Sequence, residues 1–161
     1  MTYKTSLDNL AKVTTIAITI LFAAIIVGQI FLINGEEKTV PMITIFTLLL
    51  IYFGTFSFRP INYTLTNEEL IIHRPLLNIK INRNKIKSVE QLDKAKLAWA
   101  WRIFGVGGLF GYWGKFTNTK MGSMTWYSTR QNKAVLIKTI YDKNIIITPD
   151  EPEKFVAEFN M

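Results

Sequence analysis

Cysteine is absent from the 161 residues, and histidine occurs once, at His73. The first absence excludes disulfides, thiolate zinc sites, iron–sulfur ligation and cysteine nucleophiles. The second excludes a metal site built from several histidines of one chain. Charge is missing over two long stretches: residues 13–33 and 40–58 hold no Asp, Glu, Lys or Arg. The scarcity is regional. Before Arg59 stand only Lys4, Lys12, Lys38, Asp8, Glu36 and Glu37, which cancel, so the whole formal charge of +7 belongs to the remainder. A basic segment of this kind suits an anionic surface, whether lipid, nucleic acid or acidic protein.

Each uncharged stretch has the length of a bilayer crossing. As helices, residues 13–33 reach about 31 Å and residues 40–58 about 28 Å, against a hydrocarbon core of roughly 30 Å. Pro41 falls in a first helical turn, where its missing N–H costs nothing. Residues 34–39, Asn-Gly-Glu-Glu-Lys-Thr, are short and polar, which makes the two helices antiparallel neighbours. Basic residues set the expected orientation, because Lys4, Lys12 and Arg59 flank the pair while the connection is acidic on balance. Residues 1–12 are expected to be a cytoplasmic amino-terminal segment, 13–33 and 40–58 transmembrane helices, 34–39 an extracytoplasmic loop, and 59–161 a cytoplasmic domain. That describes a multi-pass protein of the cytoplasmic (inner) cell membrane with both termini cytoplasmic. A cleaved signal peptide has a shorter apolar region of about 7–15 residues. Two core helices of a soluble protein would need more surrounding chain than remains.

After Pro60 the pattern changes to short strands with turn signals. Strands are expected over residues 61–65, 70–74, 77–81, 86–92, 112–117, 123–129, 134–140 and 144–148. Short turns between them predict an antiparallel meander. Residues 93–104 have helix propensity and fit a short helix or a structured loop. Asp150 and Glu153 have the spacing of a capping box, opening a last helix with an apolar stripe of Phe155, Val156 and Phe159. The expected fold is therefore a two-helix transmembrane hairpin followed by a β-rich barrel of seven or eight strands with a C-terminal α-helix.

Several segments carry a family resemblance. Tyr63-Thr64-Leu65-Thr66-Asn67-Glu68-Glu69-Leu70-Ile71-Ile72 and Ile86-Lys87-Ser88-Val89-Glu90 resemble the opening strands of bacterial pleckstrin-homology (PH) domains. The glycine-rich run from Arg102 to Phe116 and the ending Ile147-Thr148-Pro149-Asp150-Glu151-Pro152-Glu153-Lys154-Phe155 are similar to the same family. The resemblance covers roughly residues 60–160. It implies a PH-like barrel, often preceded by transmembrane helices, and a location rather than a reaction.

The glycine run does not match a nucleotide site. A dinucleotide fingerprint needs glycine at relative positions 1, 3 and 6, but counting from Gly105 the sixth position is Phe110. No Gly-Lys-Ser/Thr follows, so no P-loop is present, and a turn feeding a strand is the expected role. Trp99, Trp101, Phe104, Phe110 and Trp113 crowd the same stretch, flanked by Lys94, Lys96, Arg102 and Lys115. Such a mixture suits a membrane-interface patch, although most of these rings are expected to fill the core, with one or two exposed. Arg83, Lys85 and Lys87 alternate and suggest a small basic strip, for which a solvated strand face is the simpler account. Phosphoinositide-binding PH domains use a basic cluster near their first hairpin. Glu68 and Glu69 occupy that turn here, which disfavours such recognition.

His73 has no neighbouring carboxylate, and no serine stands in a nucleophile context such as Gly-x-Ser-x-Gly. Catalysis is not expected, and neither a cofactor nor a metal is implied. The candidate interaction surface comprises Arg83, Lys85, Lys87, Lys94, Lys96, Trp99, Trp101, Arg102, Trp113 and Lys115. The expected activity is presentation of a basic PH-like domain at the membrane surface. Its partners would be the lipid bilayer, a protein and anionic lipid headgroups. The alternative is a membrane-tethered nucleic-acid-binding domain, disfavoured because no recognisable nucleic-acid motif accompanies the charge.

Overall fold

The two uncharged stretches form helices in a computed structural model that describes residues 1–33, 38–97 and 99–160, with Lys94 described for its backbone alone. The connecting loop expected at 34–39 lies largely outside the described residues. Helix α1 (Asn9–Ile33) and helix α2 (Thr39–Ser57) would measure about 37 and 28 Å. They run antiparallel, with Thr19 and Ile26 of α1 and Leu48 and Tyr52 of α2 lining a shared apolar groove. The Thr19 and Tyr52 hydroxyls are 3.0 Å apart. Large apolar side chains stay uncovered all round both helices, Val13 at 64 %, Phe31 at 74 % and Phe46 at 67 % exposure among them. Both helices are long and apolar enough to cross a membrane.

A strand precedes the helices. Residues Thr2–Lys4 form β1, which pairs antiparallel with β2 (Asn62–Leu65) in the register Thr2 to Thr64 and Lys4 to Asn62. The helical pair is thus an insertion between two neighbouring strands of one sheet. β3 (Glu69–His73) and β4 (Ile79–Asn82) complete this sheet in the order β1-β2-β3-β4.

The second sheet has six strands: β5 (Ile86–Leu92), β6 (Trp101–Gly108), β7 (Gly111–Asn118), β8 (Gly122–Ser128), β9 (Ala134–Thr139) and β10 (Asn144–Ile147), in the order β5-β9-β10-β8-β7-β6. The sheet is not the simple meander expected. β10 turns back against β9 and inserts beside β8, to which it runs parallel. Among the described residues ten strands result where seven or eight were expected. The additions are β1 and β6, the latter running from the end of the stretch read as a helix or loop into the glycine-rich run. Among the described residues of that stretch, Lys94–Leu97 is helical, as α3.

Burial follows from this layering. Strand β9 is buried on both faces, so it reads as an unbroken run, Ala134-Val135-Leu136-Ile137. Val135 and Ile137 meet Tyr3, Tyr63, Leu70, Ile72 and Phe155 on one side. Ala134 and Leu136 meet Tyr112, Phe116, Met124, Trp126 and Ala11 on the other. The first core is closed by α4 (Pro152–Asn160), which lays Phe155 into it edge-on to Tyr3 at 5.1 Å.

The expected capping box at α4 does not form. The Asp150 carboxylate is drawn away to accept from the Ser6 N–H at 3.1 Å and the Ser6 hydroxyl at 2.7 Å, and it pairs with Arg130. Both Asp150 oxygens are thus occupied by Ser6 and Arg130, away from the start of α4.

Candidate functional site

The residues just before α1 fasten it to the domain. Asp8 is its N-cap, accepting the Ala11 N–H at 2.8 Å, which satisfies a donor the helix leaves orphaned. The same carboxylate accepts the Gln131 N–H at 3.1 Å and the Tyr112 hydroxyl at 3.3 Å. Burial, with the Asp8 charge and hydrogen bond added, pushes the Tyr112 phenol well above its ordinary value. Thr5 bonds to Thr129 and to the Thr148 carbonyl.

A second fastening comes from the glycine run. In the β6–β7 hairpin Gly105 faces Gly114 and Gly108 faces Gly111, symmetrically about the turn Leu109-Phe110. Gly105 and Gly114 have φ of 109° and 122°, and a Cβ on either would lie 2.1 or 2.2 Å from the opposing carbonyl oxygen. No other residue fits there. The hairpin can therefore bend sharply and place its tip between the helix bases. Phe110, with φ of 57°, is buried there. Its N–H donates to the Thr15 hydroxyl at 2.9 Å, and its ring meets Tyr52 at 5.1 Å and Phe56 at 5.4 Å.

Two arginines surround the exit of α2. The Arg59 guanidinium stacks 4.3 Å over Phe56, and that of Arg74 lies 5.3 Å over Phe58. Burial lowers the pKa of both. None of the ion pairs among the described residues involves either one, and the Arg59 Nε is buried without a hydrogen-bond partner.

The aromatic stretch divides in a way the sequence reading did not foresee. Trp99 is 85 % exposed, Trp101 58 % and Phe104 70 %, while Phe110 is buried and Trp113 is half-buried against Phe58 at 5.6 Å. Three rings are thus exposed where one or two were expected. Ile103 is exposed as well. Trp99 stands just before β6, the outer strand of the six-stranded sheet, and Trp101, Ile103 and Phe104 lie on it. Its eight residues extend roughly 23 Å from the hairpin tip, so Trp101 sits at the end farther from the helices. The bulge at Arg102/Phe104 explains why neighbouring side chains are exposed together.

The basic residues do not gather on one face. Arg83 and Lys85 lie in a short 3₁₀ turn (Arg83–Lys85) rather than a strand. The Arg83 side chain is used internally, 4.6 Å over the Phe159 ring and bonded to the Phe159 carbonyl. Lys87 is exposed on β5, at the opposite end of the sheet from β6. Arg102 is exposed on β6, and Lys115 on β7 donates to the Thr125 hydroxyl at 2.8 Å. The Lys94 side chain lies outside the described residues. Lys96 borders an open hollow of about 450 Å³ with Lys120 and Lys138 around Leu92, Met121 and Leu136. Sequence reasoning missed Lys120 and Lys138 because that hollow joins four separate segments. Among the described residues no cluster of three or more His, Asp or Glu could hold a metal ion.

His73 completes a cross-strand pair, its Nε2 lying 3.0 Å from the Thr64 hydroxyl. Its surroundings are structural.

No curated protein and no solved structure matches the chain significantly. The family model described as Bacterial PH domain matches residues 61–161. That span takes in β2 to β10 and α4 but not β1, which reaches the domain from beyond the helices. With well over half of its length matched, the chain belongs to the bacterial PH domain family.

Proposed function

We propose that this protein is a membrane-anchored interaction module: α1 and α2 cross the cytoplasmic membrane, and the PH-like domain presents the open edge of β6 to a protein partner. One observation carries the anchoring. β1 and β2 are hydrogen-bonded neighbours, and the whole apolar helical pair lies between them in the chain. The flanks of that pair must therefore share one side of any bilayer it crosses. The basic domain and flanks favour the cytoplasmic side. A signal-peptide role for α1 fits poorly, since cleavage after it would strip Tyr3 from the core.

The interaction surface is supported by the exposure of Trp101, Ile103 and Phe104 on a strand with an unpaired edge, with Trp99 exposed just before it. Soluble domains usually blunt such edges or cover them, and strand addition is a common way to use one. Among the described residues no cluster of three or more His, Asp or Glu supports metal-dependent catalysis. The nucleic-acid alternative draws little support from an arrangement in which Arg83 is consumed internally and the lysines are dispersed.

The chain's lack of cysteine gives a clean test. Single cysteines at Thr39 and at Thr119 would be treated with a membrane-impermeant maleimide in intact cells. Labelling at Thr39 alone is the expected outcome; labelling at Thr119 in unbroken cells contradicts the orientation. A photo-crosslinking residue at Trp101 should yield a discrete partner adduct that Phe104→Glu abolishes, and unaltered adducts would count against the β6 edge.

A further inference from the structure

The loop between β3 and β4 holds two leucines in the open. Leu76 is 60 % and Leu77 59 % exposed. Single exposed leucines need no explanation, but this loop is braced to hold both outward. The Arg74 N–H donates to the Asn78 side-chain oxygen at 3.1 Å, and the Arg74 Nε donates to the Leu77 carbonyl at 2.6 Å. The Leu76 N–H donates to the Ser57 carbonyl at 3.1 Å. Ser57 is the last residue of α2, where carbonyls lack helical partners.

That bond fixes the height of the leucines. They stand beside the end of α2, one turn beyond the uncovered Phe53, so they extend the apolar exterior of the helix. Arg59 and Arg74 flank the same spot without a carboxylate partner among the described residues. An apolar pair level with a helix end, beneath which cations lack acids, has the chemistry of the zone where acyl chains meet phosphates.

We infer that residues 74–78 form a foot that seats Leu76 and Leu77 in the bilayer at the boundary between headgroups and acyl chains, with Arg59 and Arg74 at phosphate level. This rests on the membrane-spanning role proposed above for α1 and α2. The foot holds the domain against the lipid surface at a third place, besides the two covalent connections to the helices.

Depth-resolved quenching tests it on the full chain. Single cysteines replace Leu77, Leu76, Phe46 in mid-α2, or Tyr141 in the β9–β10 turn. Each is labelled with an environment-sensitive fluorophore and reconstituted into phosphatidylcholine–phosphatidylglycerol vesicles. The lipids carry a quencher either near the headgroup or deep in the acyl chain. The Leu76 and Leu77 labels should lose fluorescence mainly to the shallow quencher, the Phe46 label to the deep one, and the Tyr141 label to neither. Quenching at Phe46 with none at Leu76 or Leu77 overturns the foot while leaving the anchor intact. No quenching at Phe46 removes the membrane-spanning role, and the foot falls with it.

Discussion

Phe110, at the tip of the β6–β7 hairpin, meets Tyr52 of α2 edge-on with ring centroids 5.1 Å apart. The contact joins the domain to the helices through side chains, independently of chain connectivity. Truncation of a buried phenylalanine typically costs about 3–5 kcal/mol. Phe110→Ala should therefore lower stability by about that amount, while the apolar surface of the helices is unchanged. Denaturant titration in detergent, followed by tryptophan fluorescence, measures it. A loss within experimental error of zero would mean that the tip does not hold the helix bases.

The amino-terminal strand behaves as core. Tyr3 packs on Phe155 and its hydroxyl bonds to Glu158. Tyr3→Phe keeps the packing and loses the hydrogen bond, at a cost of about 1 kcal/mol. Tyr3→Ala also leaves a cavity and should cost about 3–5 kcal/mol. Equal effects from the two variants would show that β1 contributes no packing.

Alkaline stability follows from the same residue. Burial, reinforced by the Glu158 hydrogen bond and charge, holds the Tyr3 phenol at about 12 against an ordinary 10.0. The raised folded value means that the native state keeps a proton the unfolded chain gives up. This stability is fully present below pH 10 and is lost as pH rises towards 12. Tyr63 and Tyr127 are shifted the same way by burial. The denaturation midpoint should fall across that window, less steeply in Tyr3→Phe. A midpoint unchanged through the window contradicts the assignment.

The glycine pairs make a contrast within one chain. Gly105→Ala would drive a methyl to 2.1 Å from the Trp113 carbonyl oxygen, while Gly28 has nothing within 4 Å of a new Cβ. Gly105→Ala should disrupt the hairpin and increase proteolysis between β6 and β7. Gly28→Ala should leave the cleavage pattern unchanged. Equal patterns for the two variants would remove the steric role of the pair.

Much of the architecture was legible, and the illegible parts share a cause. The helices show in the sequence because two runs of about twenty residues carry no charge, and strands such as β5 and β8 show because local turns bound them. β1 offers only Tyr3 between two polar neighbours, and its partner lies some sixty positions away, so nothing local marks it. β10 follows β9 across a short turn, which masks its parallel pairing with β8. Trp99, Trp101 and Phe104 looked like core because large aromatics usually are, and exposure on an open edge is decided by topology. The hairpin did leave a trace: glycines at 105, 108, 111 and 114 are symmetric about Leu109-Phe110, a pattern of cross-strand partners rather than of a phosphate loop. Asp8 also had a local sign, an acidic residue directly before the helix.

The pairing of β1 with β2 encloses the apolar helical hairpin that is proposed to cross the membrane. The Thr2 and Thr64 hydroxyls face each other at 3.0 Å, close enough for a disulfide between replacements. Thr2→Cys with Thr64→Cys, in a chain otherwise free of cysteine, would be oxidised in alkali-washed membranes and its free thiols counted. Loss of both thiols in the membrane fraction is the predicted result. Two thiols that stay reactive there, or a chain recovered in the wash, would contradict it.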